Sequence, residues 1–409
     1  MNVYPILVAL RRHKAAVILI VLQIALTLAI VANAFFIIGH TMARMSRTSG
    51  LDEDGLIFIW QKLPVVTGDA ATIIEKIDAM QRADLQAIRN LPDVQDATAT
   101  ASFPLLQGDG EGDISLDADR QGKFVHAAYY YGDEHLRGTF GARLIAGRDF
   151  FASEIRHGQT LLGSKVIIVS KALADQLFPS GNALGQAVYQ DGKLATIVGI
   201  VERLRIPNMD DSNWADNSVI EPLRQDGFWT GYVVRARNGR TTEAIRDIHK
   251  ALFALDPMRH MPPGAGVHPV TEMRASYYDD ERGVALLMGV ICIILLSVTA
   301  AGIVGLTSFW VGQRHRQIGV RRALGARKID ILLYFQIENL LIAGGGAVIG
   351  ALCAVGLNVW LMKHYEMMHL PVFYVAMGVL AMLVLGQAAV LMPARRASNV
   401  PPVVATRSV

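Results

Sequence analysis

The sequence predicts an α-helical membrane protein with four transmembrane helices and a large α+β extracytoplasmic (periplasmic) domain inserted between the first and second helices. Three observations carry this. The mean hydropathy is +0.32 and 52% of the 409 residues are hydrophobic, too apolar for an ordinary soluble enzyme. Four apolar runs reach the roughly 20 residues that a helix needs to cross a hydrocarbon core of about 30 Å. The net charge of +3 is also unevenly divided: residues 39–283 hold 26 Lys+Arg and 33 Asp+Glu, a net of −7, and the remainder holds +10. A nucleic-acid partner would require a basic face on the folded domain, so the acidic balance argues against one. The two cysteines, Cys292 and Cys353, lie inside apolar runs, with no disulfide framework and no zinc-ligand spacing.

The first run, residues 15–38, follows a cytoplasmic segment 1–14 that carries Arg11, Arg12 and Lys14. It exceeds the roughly 7 to 15 apolar residues of a secretory leader, and no A-x-A-like cleavage site closely follows it, so it is read as a transmembrane helix. Gln23 and Asn33 within it are expected to face other helices. Residues 39–283 then form a domain large enough for its own core. Ile73, Ile74, Ile77, Met80, Leu85 and Ile88 recur at helical spacing over residues 71–90, and Leu91-Pro92 stops that helix. KVIIV at 165–169 reads as a buried strand, and residues 170–178 as a helix capped by Ser170. Strands at 187–190 and 194–201 meet through Asp191-Gly192, a hairpin signal. Residues 241–255 form an amphipathic helix with Ala244, Ile245, Ile248, Leu252 and Phe253 on one side. The stretch 256–270, with DPMRHMPPGAG, is the most linker-like piece.

The remaining runs are 284–311, 331–362 and 371–392. Lys and Arg cluster before the first run, between the second and third, and after the fourth, whereas the turn at 363–370 holds only Lys363. Positive-inside bias therefore places both termini, the basic segment 312–330 and the tail 393–409 on the cytoplasmic side, with 39–283 and 363–370 outside. Gly346, Gly350 and Ala354 make a small-xxx-small line for helix packing in the third run, against another helix of this chain or of a second subunit. Glu338 stands eight positions after Asp330, about 12 Å along the same helix. An intramembrane carboxylate is a functional candidate. Pairing with nearby arginines or a hydrogen bond inside the bundle is preferred here to a proton relay.

Catalytic patterns do not emerge. GQTLLGSK at 158–165 resembles a phosphate loop, yet Ser164 precedes Lys165, the reverse of the order that brings lysine to the phosphates and the hydroxyl to magnesium. HExxH, GxSxG and Cys/His arrangements are missing, and no residue is assigned a catalytic or cofactor-binding role. Met258, His260, Met261, His268 and Met273, and Met362, His364, Met367, Met368 and His369, carry ligands that suit copper(I). They are read instead as membrane-surface turns of a chain with 15 Met, and no metal is expected.

One stretch stands apart. Residues 313–326, QRHRQIGVRRALGA, sit among Arg314, Arg316, Arg321, Arg322, Arg327 and Lys328, with no acid between Gln313 and Ile329. The segment RQIGVRRALGA resembles the cytoplasmic signature R-E-I-G-I-R-x-A-L-G-A of MacB/FtsX-type (type VII) ABC transporter permeases. The run IDILLYFQIENLLIAGGGAVIG resembles that family's third span, with Glu338 at its acidic position. PARRA at 393–397, followed by Pro401-Pro402, is similar to its C-terminal tail. AGRDF, VIIVSKALADQLFPSGNALGQAV and ATIVGIV resemble the MacB-type periplasmic core domain. Gln317 departs from the pattern by replacing the usual glutamate.

The resemblance implies a permease subunit that passes ATPase-driven motion across the membrane to the periplasm. ATP and magnesium would be bound by a separate cytoplasmic ABC ATPase dimer rather than by this chain. Arg316, Gln317, Ile318, Gly319, Val320, Arg321, Arg322, Ala323, Leu324, Gly325 and Ala326 would form the ATPase-coupling segment, with Ile318, Val320, Ala323 and Leu324 as apolar contacts and Arg316, Arg321 and Arg322 as charged ones. Further implied partners are a second permease copy or a related permease, a periplasmic adaptor and an outer-membrane channel. Tripartite efflux is the expected role. The alternatives are cell-wall hydrolase activation, lipoprotein extraction, or a membrane sensor.

Overall fold

The computed structural model describes residues 14–106, 110–118, 122, 124–158, 163–209, 212–225, 227, 229–261, 266–365 and 369–399. Arg11 and Arg12, residues 159–162 of the phosphate-loop-like stretch, residues 262–265, Met367, Met368 and Pro401-Pro402 lie outside them. The chain divides into two compact units, Met1–Ser46 with Asp280–Val409, and Arg47–Asp279.

In the unit Arg47–Asp279, called the outer unit after its expected placement, β1 (Leu56–Lys62), β2 (Val94–Thr100), β11 (Trp229–Ala236) and β12 (Val267–Pro269) form an antiparallel sheet in the order β12-β1-β11-β2. Alternation puts Ile57, Ile59, Tyr232 and Val234 on one face, where Leu85 and Ile88 of α2 (Ala70–Arg89) and Ala244, Ile248 and Leu252 of α5 (Thr241–Leu255) cover them. Both helices match their expected limits. The Asp69 side chain caps α2 by accepting from the Thr72 amide, a cap the sequence reading did not name. The linker-like stretch is corrected in part, because Val267–Pro269 pairs with β1 as an edge strand and α6 (Val270–Tyr277) follows directly.

The second layer is a closed ring. It comprises β3 (Glu111–Ser115), β4 (Phe124–Gly132), β7 (Val166–Ser170), β8 (Ala187–Gln190), β9 (Lys193–Val201) and β10 (Ser218–Gln225), with β5 (Leu144–Gly147) paired to β9 and β6 (Arg156–Gly158) to β10 at its margins. The order β4-β3-β8-β9-β7-β10 returns to its start because β10 also pairs with β4. Ile114, Val125, Ala127, Ile167, Val169, Val188, Ile197 and Val219 fill the interior, joined by Leu173, Ala174 and Leu177 of α4 (Lys171–Leu177). Ser170 caps α4 as expected, its hydroxyl accepting from Leu173 N. The β8–β9 hairpin turns through Asp191 at φ 48° and Gly192 at φ 80°, both positive as a type I′ turn requires. A short helix, α3 (Leu136–Phe140), follows β4.

The membrane unit contains α1 (Lys14–Met45), α7 (Asp279–Gln313), α8 (His315–Ala323), α9 (Lys328–Tyr365) and α10 (Val372–Ser398). Except for α8, each is long and apolar enough to cross a membrane. All four outrun their apolar stretches, because hydropathy marks where lipid would begin, whereas backbone hydrogen bonding continues until a cap or breaker. Helix α10 passes through Pro393, where the apolar run was expected to end. Pro393, Ala394 and Ala397 are buried, and that packing compensates for the lost backbone bond.

Candidate coupling site

The basic stretch folds as a separate short helix. Helix α7 ends at Gln313, Arg314 leaves helical geometry (φ −97°, ψ 10°), and α8 runs for nine residues. Gly325 adopts φ 98°, and the Gly325 and Ala326 amides donate to Arg322 O and Arg321 O at 3.2 and 3.0 Å, closing α8 with a left-handed turn. The Asp330 carboxylate then accepts from the Arg327 amide at 2.9 Å and starts α9.

Arg314 anchors this turn. Its Nη1 donates to both Glu338 oxygens at 3.0 Å and to the Tyr334 hydroxyl at 3.3 Å. The two charged side chains are 14% and 2% exposed, so Glu338 is a buried carboxylate in a short charge-assisted pair. The Arg314 guanidinium also lies 5.8 Å from the Trp310 ring centroid and 6.0 Å from that of Tyr334. Pairing with an arginine, one of the readings left open for Glu338, is the arrangement found. Arg314 and Tyr334 were not singled out as site residues, although Trp310/Arg314 and Tyr334/Glu338 each have i,i+4 spacing, which aligns side chains on one helix face.

The eleven expected coupling residues separate by environment. Arg316, Val320, Ala323 and Leu324 are exposed, Val320 by 46% and Leu324 by 83%. Gln317 and Arg321 line a groove of about 180 Å³ whose other walls are Arg314, Ile318, Ile331, Tyr334 and Phe335. Arg321 lies over the Tyr334 ring at 5.3 Å. Ile318 and Gly319 are buried, and the Ile318 side chain belongs to the core that includes Trp310, Ile331 and Phe335. Arg322 is half-buried, and Gly325 and Ala326 form the exit turn.

The small-residue line of α9 packs against α1 of the same chain. A Cβ on Gly346 would come within 2.8 Å of Ile24, and one on Gly350 within 2.9 Å of the Ala25 backbone. Ala354 is fully buried, and its carbonyl accepts from Asn33 Nδ2 at 3.1 Å. Gln23 faces α7, where a Cβ on Gly302 would meet it at 2.8 Å. Of the Met/His groups, Met258 is 86% exposed and His364 Nδ1 lies 2.9 Å from Trp360 O.

Four apolar helices, an α+β domain carried between the first two, and a basic helix at the turn before the third define the class of a multi-pass membrane permease. Residues 17–252 match the family described as MacB-like periplasmic core domain, and residues 289–402 match the FtsX-like permease C-terminal family. The chain belongs to the MacB/FtsX-type family of ABC transporter permeases. Among its relatives is the macrolide export ATP-binding/permease protein MacB of Chromobacterium violaceum, 26% identical over 227 residues, which are 53% of this chain and 33% of that protein. MacB of Neisseria meningitidis serogroup A is 25% identical over 294 residues, covering 68% and 43%. The uncharacterized ABC transporter permease YvrN of Bacillus subtilis is 24% identical over 285 residues, covering 67% and 68%. The chain thus spans about a third of the first MacB and about two thirds of YvrN.

Proposed function

We propose that this permease receives motion from a cytoplasmic ABC ATPase through α8 and passes it along the membrane helices to a periplasmic domain that drives export of a periplasmic substrate. The observation that carries the proposal is the anchoring of α8: one end is tied through Arg314 to Glu338 inside α9, while Val320 and Leu324 project into solvent. A load applied to α8 is therefore borne by a transmembrane helix. Two exposed apolar side chains among arginines suit a partner groove with an acidic rim. In this reading the ATPase is a separate dimer that binds ATP and magnesium, the permease works as a pair in the inner membrane with both termini cytoplasmic, and an adaptor with an outer-membrane channel completes the export route.

The test is a Val320→Asp/Leu324→Asp variant reconstituted with the ATPase. Loss of copurification and at least a tenfold drop in coupled transport, with membrane insertion and melting temperature unchanged, is the expected outcome; a tenfold change corresponds to about 1.4 kcal/mol. Transport at the wild-type rate would refute docking on this face.

A further inference from the structure

The groove between α8 and α9 holds one positive charge without an acidic counterpart. Arg314 is neutralised by Glu338 at 3.0 Å. Arg321, which also lines the groove, lies over Tyr334 and makes no ion pair with a carboxylate among the described residues. One turn before it stands Gln317, neutral and on the same groove wall, at a position where a glutamate would pair with Arg321 in the favourable i,i+4 orientation. Below the guanidinium, Ile318, Ile331 and Phe335 give the groove an apolar floor, and about 180 Å³ leaves room for a small polar headgroup.

The groove's position narrows the choice of ligand. It lies where α7 ends and within the first two turns of α9, at the ends of two helices apolar enough to cross a membrane, which on the placement proposed above is the headgroup level of the leaflet. An arginine beside an apolar floor at that depth complements a phosphodiester, with the lipid's glycerol against the floor and its acyl chains left outside the groove. The geometry points to an anionic phospholipid headgroup seated on Arg321 in this groove, retained because residue 317 is Gln rather than an acid. This rests on the cytoplasmic placement of α8 proposed above.

The full chain in nanodiscs of equal phosphatidylglycerol and phosphatidylcholine, extracted gently and examined by native mass spectrometry, tests this. Wild type and Arg321→Lys should retain phosphatidylglycerol over phosphatidylcholine by about fivefold, the preference a single interfacial cation supplies. Arg321→Ala should lose it. Gln317→Glu should lose it equally with the arginine still present, an effect that simple removal of a surface charge would not reproduce. Equal retention in wild type and Gln317→Glu would overturn the assignment. So would displacement of the lipid by millimolar inorganic phosphate, which would make the site one for a free anion. Retention unchanged in Val320→Asp/Leu324→Asp supports a lipid site distinct from the docking face, and one-sided labelling of an Ala323→Cys variant in vesicles reports the membrane orientation independently.

Discussion

At the scale of single residues, two buried carboxylates behave in opposite ways. Glu338 is compensated by Arg314, and removing one partner of such a pair leaves the other charge stranded. Glu338→Ala should destabilise the membrane unit by on the order of 3 kcal/mol. The Arg314→Met/Glu338→Met double variant should recover most of that loss when unfolding is followed in detergent, and a double variant no more stable than Glu338→Ala would show that the pair matters through something other than charge balance. Glu221 makes no ion pair among the described residues. It lies between Val219 and Leu223 on the β10 face that lines the ring, is 4% exposed, and burial foremost raises its carboxyl above the ordinary range, although Ser164 and the Arg156 and Lys193 charges act to lower it. The folded state thus holds that proton more tightly than the unfolded chain, so the group stabilises below the ordinary glutamate value and the benefit fades as pH rises through the raised one. Glu221→Gln should raise the melting temperature of the outer unit at pH 7.5 by roughly 2–4 °C, on the order of 1 kcal/mol, with no gain in acid near pH 4. A lower melting temperature at pH 7.5 would mean that Ser164, Arg156 and Lys193 stabilise the ionised carboxylate by more than burial penalises it. The sequence alone marked Glu338, because a carboxylate in an apolar run is conspicuous. Glu221, in a strand of mixed composition, carried no such signal.

At the scale of elements, local rules performed well wherever the determinant was local. The Asp191-Gly192 turn, the Ser170 cap and the 241–255 helix each depend on a few neighbouring residues, and each is found as the sequence implies. The glycines of α9 show the limit of such reading. Gly344, Gly345, Gly346, Gly350 and Gly356 look alike in the sequence, yet only Gly346 and Gly350 meet another helix, since a Cβ on the other three would find nothing within 4 Å. Helical phase separates the two sets, and which phase faces α1 depends on tertiary packing. Gly350→Leu should therefore strip α9 from α1 and lower the yield of folded protein sharply, because backbone atoms 2.9 Å away cannot yield as a flexible side chain can. Gly345→Ala should be neutral or stabilising by up to about 1 kcal/mol through helix propensity. Equal thermal stability of the two variants in detergent would contradict the assigned interface. The same logic explains the buried Ile318, which shares a short sequence with exposed Val320 and Leu324 while its angular position turns it inward.

At the scale of the whole molecule, what escaped the sequence was long-range closure. Strand periodicity reports which face of a segment is buried, but the ring closes by pairing Ser218–Pro222 with Ala128–Gly132, which are distant in the chain. Within the outer unit, the ring and the four-stranded sheet are also joined by a polar seam that no motif announces. Arg89 of α2 donates to Asp133 Oδ2 at 2.8 Å, Thr98 of β2 donates to Asp133 Oδ1 at 2.7 Å, and His135 Nδ1 lies 2.9 Å from Asp96 of β2. Partial burial is the largest single influence on the Asp96 carboxyl and tends to raise it, but the hydrogen bonds with His135 and the Ala97 amide, together with the His135 and Arg89 charges, outweigh it and leave the group below its ordinary value. His135 is raised, foremost by that same hydrogen bond, against burial and the nearby Arg89 charge. Because the folded protein binds the His135 proton more tightly, the seam contributes fully below about pH 6.5 and weakens as pH rises through the elevated folded value. The Asp96 contribution is lost only in strong acid, below the ordinary aspartate value of about 3.9. Between these limits both charges are present and the two layers of the domain are held most firmly. Thermal unfolding of the outer unit in the full chain should show His135→Gln less stable than wild type at pH 5.5, with the gap closing by pH 8.5. A gap that stayed constant across that range would mean that His135 joins the layers through packing alone, leaving the domain's rigidity insensitive to the pH of the compartment it faces.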